Sequence, residues 1–461
     1  MDKSVRDALA GATWLYAANF SNTIMGLVFW LVVARLAGAE SVGVAGVLVS
    51  SAGIAFSVLA AGMVLAVVRE VAAHGGRAAS SALLLSLAIG LTAGLLASFL
   101  ASAAGFKNLW PYAYLIAFSL STGQGVMSVL MGSAMFRGYF LAAVSNSTVK
   151  LLVAALLAMM GYRILAPIAG IIVGPLVASA LGIIVLALFS SLKPPSLEAL
   201  RDIVVLAASN YPYAFSIQLL TSLGVYLFSH FAGGAVDTGA LYISLMAVMV
   251  LAFIPGALQL SALSLSTRRG GDPHWEALRL GLAIVTPLVV LVAAAPSTVL
   301  SLISGELALA GEALRILALA VAPLSLTTAA MASLNRVRSV RRILTVGASG
   351  LAVLLATLPM LASRMGLEGA AIAFLASATI SATVAVALLK PPIRPLLAAW
   401  GIHFIVAALA WAGFLGGVGV LAAAALSLVA IHFTGLMSLG EALEVARIVA
   451  STLINVRVKR R

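Results

Sequence analysis

Long apolar runs alternate with short polar breaks along the whole chain of 461 residues. Most runs approach or exceed about 20 residues, the length at which an α-helix crosses the roughly 30 Å hydrocarbon core of a bilayer. The pattern predicts an all-α polytopic membrane protein with 14 transmembrane helices and no soluble domain. The predicted spans are 12–34, 43–67, 79–104, 110–135, 140–161, 165–190, 203–229, 239–265, 277–303, 313–334, 343–363, 368–389, 396–415 and 417–436, the last two divided at Gly416-Gly417.

Polar markers recur at a fixed interval and indicate an internal repeat. Arg69 follows the second span, and Arg268 follows the eighth, 199 residues later. Arg137 follows the fourth span, and Arg336 follows the tenth, again 199 residues later. An even number of spans per copy predicts a parallel repeat, with two six-helix lobes related by a pseudo-twofold axis along the membrane normal. The predicted divisions are 1–192 for the N-lobe, 193–392 for the C-lobe, and 393–461 for two added spans and a basic amphipathic C-terminal tail.

The composition supports a membrane protein and its charges orient it. The chain is 63% hydrophobic, 9% charged and has a net charge of +13. With the N-terminus in the cytoplasm, 21 basic residues lie inside and 5 outside, which predicts a multi-pass plasma-membrane protein with both termini cytoplasmic. In this orientation the basic run NRVRSVRR is expected to bind lipid headgroups at the cytoplasmic surface. No nucleic-acid partner is expected. The absence of cysteine excludes disulfides, thiolate metal sites and a cysteine nucleophile.

Three stretches carry a family resemblance: ARLAGAESVGVAGVL after the first span, VVRE at the end of the second, and MFRGYF before the fifth. In this order they resemble the polysaccharide exporters, which are O-antigen and lipid-linked oligosaccharide flippases of the multidrug/oligosaccharidyl-lipid/polysaccharide exporter superfamily. The resemblance extends over essentially the whole chain. It implies a V-shaped helical bundle that moves a polyprenyl-linked sugar from the inner to the outer leaflet by rocking of the lobes.

The acidic residues separate this function from its rivals. None of the 14 acidic residues falls in the middle of a predicted span. A cation-coupled multidrug or metabolite antiporter of the same superfamily, the nearest alternative, would be expected to keep an intramembrane carboxylate for its coupling cation. A membrane-embedded glycosyltransferase would need an acidic or histidine site beside a sizeable loop, and these loops are short. A structural scaffold is the third alternative.

Lys150 lies inside the fifth predicted span, in the polar run SNSTVK, with Asn146 one helical turn earlier on the same face. A lysine at the bilayer centre costs about 2.5–3.5 kcal/mol on insertion scales, which favours a functional role. Alternatively, the span begins near Val144 and the lysine snorkels to the cytoplasmic surface. The sequence leaves both interpretations open.

Amide side chains mark two spans that are equivalent in the repeat. The first span carries Asn19 and Asn22 on one face, and the seventh carries Asn210 and Gln218. Amides in hydrocarbon need hydrogen-bonding partners, so these side chains should face the interior. They either bond to neighbouring helices or line a path for sugar.

Arg35 is predicted to lie outside, against the general charge bias. It either pairs with Glu40 and lipid headgroups in a turn, or lines the outer end of a cavity and binds phosphate through its planar guanidinium. Arg69 and Arg137 either hold phosphate at the inner mouth of that cavity or act as ordinary topological anchors.

Together these features predict a monomeric flippase for an oligosaccharide linked to a polyprenyl phosphate or pyrophosphate. The expected partners are this anionic glycan lipid and the membrane lipids. No catalytic residue, metal site or cofactor is expected. The central prediction is a positively charged, acid-free chamber between two equivalent helical bundles.

Overall fold

The computed structural model describes residues 3–190, 192–269, 274–336, 339–413, 417–438, 440–441 and 443, and these residues are almost entirely helical, without a strand. Within these helices the description leaves out the side chains of 3–13, 15–16, 209–210, 212–221, 257, 260–269, 335–336 and 418. The helices in this part of the chain are α1 (Lys3–Ala37), α2 (Ala39–Ala60), α3 (Met63–His74), α4 (Gly76–Ala103), α5 (Trp110–Gly132), α6 (Phe136–Met159), α7 (Leu165–Phe189), α8 (Leu197–Phe231), α9 (Ala235–Arg269), α10 (His274–Ala294), α11 (Pro296–Ser301), α12 (Gly311–Ala318), α13 (Val321–Arg336), α14 (Val340–Leu389), α15 (Arg394–Trp411) and α16 (Gly417–Phe433), with 3₁₀ turns at Lys107–Leu109 and Gly305–Ala310.

Length and hydropathy make this a multi-pass membrane protein. Among the described residues, 10 helices are long and apolar enough to cross a membrane, or 11 if one bent pair forms a single span. That pair, Gly305–Ala318 and Val321–Leu334, bends by 46° within the predicted tenth span. The all-helical, polytopic character predicted from the sequence is therefore confirmed, while the count of fourteen stays a prediction.

Helix α14 contains a break that its length requires. At 1.5 Å per residue its 50 residues would extend about 75 Å, more than twice the hydrocarbon thickness. Gly366 interrupts it with φ 57° and ψ −129°, a conformation that glycine adopts without steric cost. The segments on either side lie together, since Ser377 Oγ donates to the Gly350 carbonyl at 2.8 Å. The break falls between the predicted spans 343–363 and 368–389.

Two predicted spans are interrupted where the apolar pattern gives no warning. The predicted span 43–67 divides between α2 and α3 at Gly62, which has φ 82°. The predicted span 277–303 divides between α10 and α11, where Pro296 opens α11 without needing a backbone N–H partner. Apolar residues continue across the break at Gly62, and the residues after Pro296, Ser297 and Thr298, are polar but uncharged. Hydropathy alone therefore merges the pieces.

Small residues face inward and large apolar residues face outward. On α4, the buried positions include Ala82, Ala93 and Ala97, whereas Leu95 and Phe99 are 65% and 69% exposed. Lipid is as apolar as a leucine side chain, so helices in a membrane associate through close packing of small residues. The exposed leucine and phenylalanine side chains are therefore the surface that lipid covers.

The first and second halves of the chain meet along α2. Within the first half, α4 packs on α5, and α6 packs on both α1 and α7. Within the second half, α8 packs on α14, and α9 packs on α10 and α13. Helix α2 lies against both α8 and α9, and the largest buried cluster joins Phe29 and Leu48 to Phe228 and Leu245. This junction positions the candidate site.

Helices α15 and α16 pack against α10. Arg279 on α10 donates to the Leu436 carbonyl at 2.9 Å and pairs with Glu441. Hydrogen bonding to Arg279 lowers the pKa of the Glu441 carboxyl to about 2, so this pair stays charged at neutral pH. Gly416, where the fold-back is predicted, lies outside the described residues, and so does the predicted amphipathic tail apart from Gly440, Glu441 and Leu443.

Candidate functional site

A cavity of about 160 Å³ lies at the junction between the two halves of the chain. Helices α1, α2, α5, α6 and α7 line it from the first half, and α9 lines it from the second half. The lining side chains are Phe29, Trp30, Val49, Leu120, Asn146, Lys150, Ile171, Pro175 and Tyr242. Among the described residues, this lining contains one cation and no carboxylate. Of the residues that the sequence nominated for substrate binding, it brings together Lys150 and Asn146.

Lys150 points between the helices. It lies about 21 Å along α6 from Phe136, and its side chain is directed into the cavity lining. Its Nζ lies 4.8 Å from the ring centroid of Phe29, in a cation–π contact. Such a contact contributes about 0.5–2 kcal/mol, less than the cost of about 2.5–3.5 kcal/mol for placing a lysine at the bilayer centre. The ammonium is therefore only partly compensated by the residues around it.

The ion pairs of the described residues leave Lys150 without a carboxylate partner. They join His74 to Glu70, Arg279 to Glu276 and Glu441, and Arg315 to Glu312. A cation without a counterion, exposed to a cavity in a low-dielectric region, attracts an anionic group strongly. The arrangement is therefore suited to an anionic ligand.

Three aromatic rings connect this lysine to the second half of the chain. The rings of Phe29 and Trp30 are 4.9 Å apart, and those of Trp30 and Tyr242 are 4.7 Å apart, both edge to face. Edge-to-face pairs at this distance are favourable beyond the area they bury. Sequence reasoning missed these rings because Phe29-Trp30 and Tyr242 lie within apolar runs, where an aromatic residue carries no distinguishing signal.

Asn146 lines the same cavity, one helical turn from Lys150. Its Oδ1 is buried and has no hydrogen-bond partner among the described residues. This oxygen is packed against α7, where a Cβ added at Gly174 would lie 2.7 Å from it. Lys150 is therefore the charged donor among the described lining residues, while the Asn146 amide oxygen belongs to the contact between α6 and α7.

Two glycines on α7 allow α6 to approach closely at these two residues. A Cβ added at Gly170 would lie 2.5 Å from the Lys150 carbonyl, and one at Gly174 would lie 2.7 Å from Asn146 Oδ1. Glycines four residues apart on a transmembrane helix permit this kind of close crossing. The GIIVG spacing is visible in the sequence, and it is the signal that could have located the α6–α7 contact.

This crossing yields a prediction about stability. Gly170→Val is expected to destabilise the protein by about 1–3 kcal/mol, because overpacking forces the helices apart. Thermal unfolding in detergent measures the change. Gly401→Val is the matched control, since a Cβ at Gly401 meets no atom within 4 Å. Equal melting temperatures for the two variants would contradict the tight α6–α7 contact.

A second close crossing joins α2 to α9, and it is reciprocal. A Cβ at Gly43 would lie 1.7 Å from the Ala235 carbonyl oxygen, and one at Gly239 would lie 2.2 Å from the Ala39 carbonyl oxygen. In each helix the glycine follows the alanine by four residues. The two backbones therefore touch through the same Ala–Gly spacing on both helices. The contact lies in the first turns of both helices, at the end of the molecule that the sequence predicts to face outside.

Arg35 lies near this crossing but does not line the cavity. It is exposed in the last turn of α1, and it forms no ion pair with Glu40 in the part of the chain that the structure describes. The turn that follows contains Gly38 at φ 88°. The carboxylate of Glu306, from the second half, accepts a hydrogen bond from Ala39 N at 3.2 Å and so caps the start of α2.

Asn19 and Asn22 form hydrogen bonds between helices. Tyr139 on α6 donates to Asn19 Oδ1 at 3.5 Å, and Ser147 on α6 donates to Asn22 Oδ1. Both contacts hold α1 to α6 within the first half. They favour the helix-to-helix role for these carbonyl oxygens, and neither residue lines the cavity.

The remaining nominated residues lie away from the cavity or outside the description. Arg69 and Arg137 are exposed, and the Arg137 guanidinium lies 5.8 Å from the ring centroid of Trp14. The side chains of Asn210 and Gln218 fall outside the described residues. A role for these four residues in substrate binding stays a prediction.

The described residues form an all-helical, multi-pass bundle with a cavity at the junction of the two halves of the chain, and solved structures share this fold. The chain is similar to the lipid II flippase MurJ in its inward closed conformation, with TM-score 0.67 and 14% identity over 92% of this chain and 98% of that one. It is also similar to an inward-facing multidrug resistance MATE family transporter of the MOP superfamily, with TM-score 0.59 and 17% identity over 81% and 95%.

A third similar structure is a MOP superfamily transporter from Pyrococcus furiosus described as having a binding pocket of reverse polarity. Its TM-score is 0.51, with 17% identity over 84% of this chain and 93% of that one. No protein-family model matches the sequence, and no curated protein matches it. The chain therefore has the fold of the MOP superfamily transporters, as the sequence resemblance indicated.

Proposed function

We propose that this protein is a flippase that carries an anionic lipid-linked glycan from the inner to the outer leaflet of the plasma membrane. It works as a monomer with fourteen spans, arranged as two six-helix lobes in a V and two added helices, with both termini in the cytoplasm. The glycan headgroup occupies the junction between the lobes while the polyprenyl chain stays in lipid. The product serves the synthesis of a cell-surface polysaccharide or glycoconjugate.

One observation carries this proposal: among the described residues, the lining of the cavity at the junction includes Lys150 and no carboxylate. A phosphate group is anionic and accepts hydrogen bonds, so it complements an ammonium that lacks a counterion. A coupled exporter of cationic drugs requires the opposite polarity, with a carboxylate to hold the cation. The lining therefore favours an anionic substrate over a cationic one.

Alternating access supplies the mechanism. The α2–α9 crossing closes the predicted outer end of the junction, so substrate enters from the predicted cytoplasmic side. Its phosphate binds at Lys150, and separation of Gly43 from Gly239 then opens a path to the outer leaflet. Because no bond of the substrate is made or broken, the residues only bind, orient and release it.

The direct test uses the purified full-length protein in liposomes. A fluorescent polyprenyl-phosphate-linked sugar is loaded, and the fraction that a membrane-impermeant quencher reaches is followed in time. Faster exchange than in protein-free liposomes supports a flippase. Failure to move any lipid-linked sugar, together with uptake of cationic drugs driven by a proton or sodium gradient, would favour the antiporter.

Membrane potential is expected to bias the direction of flipping. An inside-negative potential of 100 mV favours outward movement by about 2.3 kcal/mol for each negative charge. The same liposomes, with potassium gradients imposed in either direction, should show faster outward flipping when the cytoplasmic side is negative. Equal rates at the two polarities would mean that the charge on the substrate is neutralised during transport.

A further inference from the structure

Tyr242 on α9 brings the second half of the chain into the cavity lining. We infer that Tyr242 is a positioning residue of the transport cycle: its ring plugs the cavity beneath the α2–α9 crossing, and its release couples binding at Lys150 to the parting of that crossing. This inference rests on the proposed flippase function. It deepens that function by naming the side chain through which a bound headgroup acts on the outer closure.

Three residues lie at one level beneath the crossing. Trp30 lies seven residues before the last residue of α1, and Gly46 and Tyr242 each lie seven residues after the first residues of α2 and α9. At 1.5 Å per residue this is about 10 Å from the predicted outer ends of the three helices. Gly43 and Gly239, which form the crossing, lie only about 6 Å from the same ends. Tyr242 therefore lies almost one helical turn deeper than the crossing, toward the cavity.

The ring of Tyr242 is seated between two helices of the first half. A Cβ added at Gly46 on α2 would lie 3.1 Å from Tyr242 Cδ2, and the ring of Trp30 on α1 meets the tyrosine ring edge to face at 4.7 Å. The tyrosine is only 6% exposed. Because a helix moves as a rigid element over one turn, parting of Gly43 from Gly239 also pulls Tyr242 away from this seat. The crossing therefore opens only when the ring leaves Gly46 and Trp30.

The same stack of rings reaches Lys150. Trp30 contacts Phe29 edge to face at 4.9 Å, and the Lys150 Nζ lies 4.8 Å from the ring centroid of Phe29. A charge-assisted hydrogen bond to phosphate is stronger than a cation–π contact, so a phosphate that binds here draws the ammonium away from Phe29. Packed side chains change between discrete arrangements rather than deforming continuously. Loss of the ammonium from Phe29 therefore weakens the packing that holds Trp30 against Tyr242, and substrate binding favours release of the plug.

Labelling of a cysteine at the crossing tests this coupling in the full-length protein. Val42, beside Gly43, is fully buried and is not among the described lining residues of the cavity. In liposomes, Val42→Cys should therefore react with an impermeant reagent added outside only when the outer end opens. Addition of a polyprenyl-phosphate-linked sugar should accelerate this labelling about 5-fold or more, the lower end of the usual coupling between two sites. With Tyr242→Ala also present, labelling should be fast without the sugar and should change less than about twofold when the sugar is added.

Tyr242→Phe is the matched control, because it keeps the ring and should keep the response to the sugar. A full response in Tyr242→Ala, or a loss of response in both variants, overturns the inference. Flipping of the lipid-linked sugar by the wild-type protein then leaves the flippase function standing. A sugar that neither flips nor changes the labelling of Val42→Cys overturns both. If Tyr242→Ala does not fold, Trp30→Leu removes the ring on the other side of the seat, carries the same expectation and decides instead.

Discussion

Lys150→Ala is expected to slow the flipping of a lipid-linked anionic sugar by about 10- to 100-fold. Hydrogen bonds to a charged group contribute about 1.5–3 kcal/mol, and each 1.4 kcal/mol corresponds to a factor of ten. The alanine variant loses this contribution at the step where phosphate enters the cavity. Folding should be preserved or improved, because the substitution removes a cation that costs free energy in the membrane. The measurement is the flipping rate in liposomes beside the melting temperature in detergent.

Two controls separate a role of the ammonium in the cavity from a general effect of positive charge. Lys107→Ala removes an exposed lysine in the turn before α5 and should leave flipping unchanged. Lys150→Arg keeps the charge but brings a larger, planar group, so it should retain part of the activity. A Lys150→Ala variant that flips at the wild-type rate would remove the cation from the mechanism and leave the cavity as a packing defect.

The helices were predictable because the bilayer thickness sets the length of each apolar run, and that thickness is the same for every span. The helical character and the break near Gly366 both follow from that rule. The interruptions at Gly62 and Pro296 do not, since they divide a span without adding charged residues. Bends of this kind are set by backbone conformation and by neighbouring helices, which hydropathy does not record.

The residues of the candidate site were predictable only where placing a polar or charged side chain in hydrocarbon costs free energy. Lys150 and Asn146 stood out because charge and amide groups are unfavourable in hydrocarbon, and both line the cavity. Asn19 and Asn22 stood out for the same reason, yet their carbonyl oxygens accept hydrogen bonds from α6. Cost in the membrane identifies residues that need a partner, but it does not say whether that partner is a ligand or a neighbouring helix.

The same limit applies to the crossing of α2 and α9. Glycine and alanine carry little free-energy cost in a membrane, so hydropathy gives no sign of a contact at Gly43 or Gly239. Their reciprocal contact becomes visible only when the two halves are placed together. It adds a physical reason for small residues at both positions, because the first turns of α2 and α9 meet backbone to backbone.

Gly239→Leu is expected to hold the predicted outer end open. A side chain at this position would collide with the Ala39 carbonyl oxygen, which a Cβ alone would approach to 2.2 Å. Overpacking costs about 1–3 kcal/mol, and a cost of that size borne by the closed state alone shifts the equilibrium about 5- to 150-fold toward the open state. Transport requires both states, so flipping should fall with the population of the closed one.

Cysteine labelling measures that shift, because the chain has no native cysteine to give background. Val49→Cys places a thiol in the cavity lining, and an impermeant reagent added from outside should label it faster when Gly239→Leu is also present. Gly256→Leu is the matched control on α9, where an added Cβ meets no atom within 4 Å. Unchanged labelling with normal flipping would show that the crossing does not seal the path. Faster labelling with reduced flipping would instead establish that contact between these two backbones has to form and part in each transport cycle.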